Sequence, residues 1–333
     1  MRYGLVSLFL CLLVVSGCSK GTISSNIISP ASSGILYVST TTAIQHYNSA
    51  LTSNGNIAPS VTISGAATSL AAPSRLLLDA SSDRLFVANP GSSSILIFEA
   101  ASTRSGNTAP TRIISGASTL LSAPSDLALD TVNNALYVAD GTRILVFLSA
   151  STVTGNVPPV HNISLGFSVA SILLDITGNR LYVANTGGNA IDRLEGASTQ
   201  DGLAVIAAII SGISTGLNHP DGLAFDNAGR LFVSNASTPS ITVYVSPATA
   251  SGNVSPSATL SGSLTLLGSP GQIFINNNGT GEIYVADALA GGVLIFSNLA
   301  VLTGNVAPTR SILGSSTGLA PNTVNGLALD TTR

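Results

Sequence analysis

The residues able to do chemistry are few, and they recur in register. Gly212-Ile213-Ser214-Thr215-Gly216 and Gly314-Ser315-Ser316-Thr317-Gly318 both match Gly-x-Ser-x-Gly. That pattern serves acyl transfer when it holds a serine on a strained strand-to-helix turn beside an oxyanion hole. No helical periodicity follows either stretch, and Gly65-Ala66-Ala67-Thr68 occupies the same place in its own repeat without a serine, so both read as turns. The three histidines, His46, His161 and His219, show no His-x-His or His-x-x-x-His spacing, which leaves a zinc site without support. His219 lies near Ser214 and Asp221, but triad members converge from a rigid scaffold rather than from one loop. No catalytic residue is assigned.

The elements that carry these residues repeat. One phrase recurs as Ile35-Leu36-Tyr37-Val38-Ser39, Arg84-Leu85-Phe86-Val87-Ala88-Asn89, Ala135-Leu136-Tyr137-Val138-Ala139-Asp140, Arg180-Leu181-Tyr182-Val183-Ala184-Asn185, Arg230-Leu231-Phe232-Val233-Ser234-Asn235 and Glu282-Ile283-Tyr284-Val285-Ala286-Asp287. The spacings between copies are 49, 51, 45, 50 and 52 residues. A second apolar phrase ends in Asp79, Asp130, Asp175, Asp226, Asn276 or Asp330. Asp or Asn directly after a strand accepts backbone N–H groups, so this set reads as turn-forming, and Arg84, Arg180 and Arg230 are placed to pair across the hairpin. A third strand, a Gly-Asn-x-x-Pro turn (Gly55, Gly106, Gly155, Gly252 and Gly304 open its copies) and a fourth strand complete each period.

Period and composition exclude helical solenoids, and four strands per roughly 50 residues predict an all-β, six-bladed β-propeller over 34–333. The first two strands of each copy are apolar along their length, as burial on both faces demands. The repeats begin on a second strand and stop on a first strand. Six whole blades therefore require the C-terminal strand to pair with the N-terminal ones, which closes the ring and removes two exposed edges.

Closure would bring the residues ending the second strand, Asn89, Asp140, Asn185, Asn235 and Asp287, to the face that carries the blade-linking loops. They are the candidate channel-mouth ligand-binding residues, with Ser39 in the sixth copy. An oxygen-only set would suit Ca2+ or another divalent cation. Only Asp140 and Asp287 of the five are charged, and past Cys18 the only glutamates are Glu99, Glu195 and Glu282. No cofactor and no metal ligand is assigned, and a divalent cation is the one candidate kept.

Pro220-Asp221-Gly222-Leu223-Ala224-Phe225-Asp226 followed by Gly229-Arg230-Leu231-Phe232-Val233-Ser234-Asn235 resembles the NHL repeat, as do the other copies. The resemblance implies a six-bladed ring, which hosts scaffolds, ligand binders, lactonases and lyases alike. Propeller lactonases, by the same resemblance, use axial carboxylates and amides as metal ligands.

The N-terminus predicts an address. Arg2 precedes an apolar run of 11 residues, Leu5 to Val15, too short to span a membrane at about 20 residues but suited to a signal peptide. Val15-Ser16-Gly17-Cys18 resembles the lipobox of bacterial lipoproteins, which implies a signal over 1–17, lipidation of Cys18 and a tether over 18–33. Two acyl chains suffice for stable anchoring. Ser19 is not the Asp that retains many such proteins at the inner membrane, so the resemblance favours, within the bacterial envelope, the outer membrane of a host that has one. The second cysteine, Cys11, falls inside the apolar run.

Hydrophobic residues make up 45% of the chain and charged ones only 8%, against roughly 25% in ordinary soluble domains. Disorder is excluded by that hydrophobicity. Nucleic acid is excluded as a partner by 12 basic against 15 acidic residues. The expected function is a non-enzymatic binding or scaffold module for an envelope protein or saccharide. The alternative is a metal-assisted enzyme of the lactonase or lyase type.

Overall fold

A computed structural model describes residues 33–333; the signal segment 1–17, Cys18 and the tether up to 32 lie outside the described residues. Six antiparallel sheets form the ring. Blade 1 runs Gly326–Asp330, Ile35–Ser39, Ala43–Asn48 and Val61–Ser64 from axis to rim. Blade 2 follows with Leu76–Asp79, Arg84–Asn89, Ser94–Glu99 and Arg112–Ile114, and blade 3 with Pro124–Asp130, Ala135–Asp140, Arg143–Leu148 and His161–Ser164. Blade 4 comprises Val169–Asp175, Arg180–Asn185, Ala190–Glu195 and Ile206–Ser211. Blade 5 comprises Pro220–Phe225, Leu231–Asn235, Ser240–Tyr244 and Ala258–Ser261, and blade 6 Pro270–Asn276, Glu282–Asp287, Gly292–Ser297 and Arg310–Ile312.

Ring closure takes the form expected from the ends of the repeats. Gly326–Asp330 pairs antiparallel with Ile35–Ser39, in the register Tyr37 opposite Ala328. The C-terminal strand is thus the axial strand of blade 1.

The core consists of six separate seams between blades, not one central mass. Alternate residues of a strand point to opposite faces, so Leu85 and Val87 pack toward blade 1 while Phe86 and Ala88 pack toward blade 3. This is why the second strands are apolar without alternation. Full burial of a side chain such as Phe86 contributes about 1.5–3 kcal/mol.

The Gly-Asn turns and the Ser-Gly-x-x-Thr links prove to be two halves of one inter-blade staple. In each of five seams the Asn side chain accepts a hydrogen bond from the link of the preceding blade: Asn107 from Ala67, Asn156 from Ser118, Asn253 from Ser214, Asn305 from Leu264 and Asn56 from Ser316, at 2.7–2.8 Å. The link glycine must be glycine, because at Gly212 (φ 127°) an added Cβ would lie 2.5 Å from the Asn253 side-chain amide oxygen. The link threonine closes the turn on itself, as Thr215 Oγ1 donates to the Gly212 carbonyl at 2.7 Å. Between blades 3 and 4 a different device serves. Gly202–Leu203 adds a short parallel strand to the rim of blade 3, and Asp201 accepts the Asn162 N–H at 2.9 Å.

Candidate binding site

Turn residues behave as their position predicts. Asp79 accepts from Ser82 N–H, Asp130 from Val132 and Asn133, Asp175 from Gly178, Asp226 from Ala228, Asn276 from Asn278 and Asp330 from Thr332. Arg84, Arg180 and Arg230 pair with Asp79, Asp175 and Asp226 at 3.6, 3.2 and 2.6 Å. The three glutamates are likewise held by arginines: Glu99 by Arg84 and Arg112, Glu195 by Arg180 and Arg193, and Glu282 by Arg310. Burial opposes ionisation of Glu99, but hydrogen bonds and charge from Arg84 and Arg112 win and hold its pKa below the ordinary value.

The candidate channel-mouth residues bind the links. Asn89 accepts the Ala71 N–H at 2.7 Å; Asp140 accepts those of Ser122 and Ala123 at 2.9 and 2.7 Å. Asn235 accepts from Asn218 at 3.1 Å, and Asp287 from Gly268 and Ser269 at 2.8 and 3.0 Å. Asn185 departs from the pattern, taking Gly188 N–H of its own loop and donating to Asp192 at 3.1 Å. None of the five lines the axial cavity. Asp140 instead borders a polar surface cleft with Arg143, Ser122 and Asn162.

The serine, histidine and aspartate around the fourth link have separate partners. Ser214 is stapled to Asn253, the His219 N–H donates to Asn189, and Asp221 turns to the axis. The Gly-x-Ser-x-Gly stretches are turns with no helix behind them.

At the axis the structure assembles residues that the repeat pattern hides. Arg75, just ahead of the axial strand of blade 2, reaches Asp221 on the axial strand of blade 5 at 2.5 Å. These blades stand three places apart in a ring of six, so the pair crosses the axis. Gln272 of blade 6 donates to the Leu76 carbonyl at 2.9 Å and accepts the Leu327 N–H at 2.9 Å, satisfying axial strand edges on blades 2 and 1. Asp126 on blade 3 is buried and accepts from Leu127 N–H, Ser171 Oγ and Ile172 N–H at 2.8, 2.6 and 3.0 Å. Burial raises its pKa, outweighing the nearby Arg75 charge and these hydrogen bonds.

Arg75, Asp126, Ser171 and Gln272 share one repeat position, the residue before the first Leu or Ile of the axial strand; Gly222 and Gly326 hold it in the other two blades. The signal that would have found them is divergence at one position of an otherwise repeated phrase. Beyond this polar layer the axial strands of all six blades enclose a cavity of ≈ 400 Å³, lined mainly by Leu, Ile, Ala and Phe. Among the described residues no three His, Cys, Asp or Glu side chains come together in an arrangement able to hold a metal ion.

No protein-family model matches the chain, and no curated protein matches it. Solved structures do. A chain of the nidogen/laminin complex is 16% identical with a TM-score of 0.61, over 89% of this chain and 98% of that one. A protein of unknown function from Bacteroides caccae is 8% identical with a TM-score of 0.61, over 89% and 98%. A functionally unknown protein from Desulfotomaculum acetoxidans is 15% identical with a TM-score of 0.53, over 83% and 79%. The likeness establishes the fold: a six-bladed β-propeller.

Proposed function

We propose that this chain is an NHL-like propeller lipoprotein of the bacterial envelope, anchored through Cys18, that works as a binding or scaffold module for protein or saccharide and not as an enzyme. The observation that carries the non-catalytic part is that the side chains of the axial polar layer bond chiefly to partners within the protein. Arg75 donates to Asp221 through Nη2 and leaves Nη1 buried without a partner, while Gln272 bonds backbone edges and Asp126 accepts from three donors within blades 3 and 4. A catalytic site needs polar groups aimed at a reacting atom instead. The fold's presence in the nidogen/laminin complex supports use of such a ring in protein assembly. The surface suits contact through hydrogen bonds, because its loops are Ser, Thr, Asn and Gly with few charges.

Two measurements test the proposal. Cys18→Ser is expected to move the protein from the membrane to the soluble fraction, whereas unchanged retention would remove the anchor. Elemental analysis of purified protein is expected to show no stoichiometric divalent ion. A bound ion at one per chain would turn the assignment toward the metal-assisted enzyme.

A further inference from the structure

The turn between the third and fourth strands repeats one arrangement, which the blades complete differently. Two residues before its glycine stands a side chain placed to reach the carbonyl of the residue seven before that glycine. In blade 2 this side chain is Arg104, whose Nε donates to the Glu99 carbonyl at 2.8 Å and whose Nη2 donates to Thr111 Oγ1 at 2.9 Å. Among the described residues no carboxylate pairs with Arg104, so one carbonyl and one hydroxyl are its acceptors. In blade 4 Gln200 Nε2 donates to the Glu195 carbonyl at 2.9 Å, and in blade 1 Ser53 Oγ donates to that of Asn48 at 3.3 Å. Blades 3, 5 and 6 have Val153, Ala250 and Leu302 there, which cannot donate. Open grooves of ≈ 300, 280 and 200 Å³ lie at those three turns.

Blades 5 and 6, neighbours in the ring, keep both acceptors that hold Arg104 in blade 2. The carbonyls are those of Val245 and Ser297, and among the described residues no side chain donates to either. The hydroxyls are those of Ser257 and Thr309, each donating inward, to the Val243 and Ile295 carbonyls at 3.0 Å, which leaves lone pairs free to accept. Blade 3 has Val160 in place of the hydroxyl. Exposed Val245, Val301 and Val306 add apolar wall to the two grooves or their rims.

We propose that these two grooves dock an extended segment of a partner protein that presents two arginine side chains, one to each groove. The inference rests on the binding-module reading and names the partner's chemistry. Each arginine stem packs on the apolar wall, and its guanidinium repeats the two bonds of Arg104. Lysine is a poorer occupant, because an ammonium lacks the planar fork that meets carbonyl and hydroxyl together. Two grooves at the same repeat position of adjacent blades make the second contact intramolecular once the first has formed.

The probe is a series of dye-labelled peptides with two arginines separated by Gly-Ser spacers of increasing length, titrated into the purified full chain and followed by fluorescence anisotropy. Saturable binding at one peptide per chain is expected for at least one spacer. It should be at least about tenfold tighter than that of the matching lysine peptide or of a peptide with a single arginine. Ala250→Arg gives blade 5 an occupant of its own, and Thr309→Val takes the hydroxyl from blade 6; each is expected to weaken binding by about tenfold. Val153→Arg fills the groove of blade 3 and is expected to change nothing. No saturable binding by any member of the series overturns the proposal. So does equal affinity for the lysine peptide, binding that survives both Ala250→Arg and Thr309→Val, or loss on Val153→Arg. Such a failure falls on the grooves alone, because the Cys18→Ser and elemental measurements test the binding-module reading separately.

Discussion

Asp126 shows what a single side chain costs and contributes at the centre of a ring. Desolvation lifts its pKa despite three hydrogen bonds and a nearby guanidinium. Because the folded chain then holds this proton more tightly than the unfolded one, linkage makes stability fall as pH rises from about 4 through the folded pKa. Asp126→Asn is expected to flatten that stretch of the curve of denaturation midpoint against pH. An unchanged slope would show that the residue ionises as freely folded as unfolded. The rim carboxylates act with the opposite sign. Burial opposes ionisation of Asp79, but hydrogen bonds from Ser81 and Ser82 and the Arg84 charge hold its pKa low, as Arg84 and Arg112 do for Glu99. Their contribution is present above the unfolded carboxylate pKa and is lost as pH falls through the folded one.

At the scale of elements, the staple explains why each period is long. The Gly-Asn turn and the Ser-Gly-x-x-Thr link look like separate loops in sequence, yet each Asn docks on a glycine of the preceding blade's link. Asn253→Ala removes the bond to the Ser214 N–H and is expected to cost about 1 kcal/mol. Gly212→Ala forces a side chain into φ 127° and against the Asn253 amide, so about 1–3 kcal/mol is expected. The double substitution should cost less than the sum, because Asn253→Ala removes the group with which the new methyl collides. A double-mutant cycle by chemical denaturation checks this; strict additivity would mean that turn and link do not act together.

The whole molecule is held by closure. The Leu327 N–H faces the axis, where it meets Gln272, so by strand alternation the Ala328 N–H faces its partner Tyr37 across the closing ladder. Ala328→Pro deletes that bond and is expected to cost at least about 3 kcal/mol, the order of proline within a regular hydrogen-bonded element. It should also broaden the unfolding transition and promote self-association, since opening the ring uncovers two strand edges. Thermal denaturation and size exclusion read both effects. A transition as sharp and as high as that of the unsubstituted chain would mean that the ring does not depend on this strand.

The blade, the number of blades and the closing strand were legible in the amino-acid sequence. Those properties are periodic, and a phrase such as Leu-Tyr-Val-Ala-Asn declares its own burial wherever it recurs. The turn role of Asp79 and its counterparts was legible for the same reason, because their partners lie within four residues. The address carried by Leu5 to Val15 and Cys18 is also a matter of sequence alone and lies outside the described residues. Tertiary structure decided the rest. Arg75 meets Asp221 from 146 positions away and Gln272 meets Leu76 from 196, contacts that exist only once six strands surround an axis. Neighbours in a strand point in opposite directions, so the same polar residue can face the channel or a link. Closure turned Asn89, Asp140, Asn235 and Asp287 toward the links, and it lined the channel with Leu, Ile, Ala and Phe side chains and the free edges of the axial strands, under a layer of polar side chains.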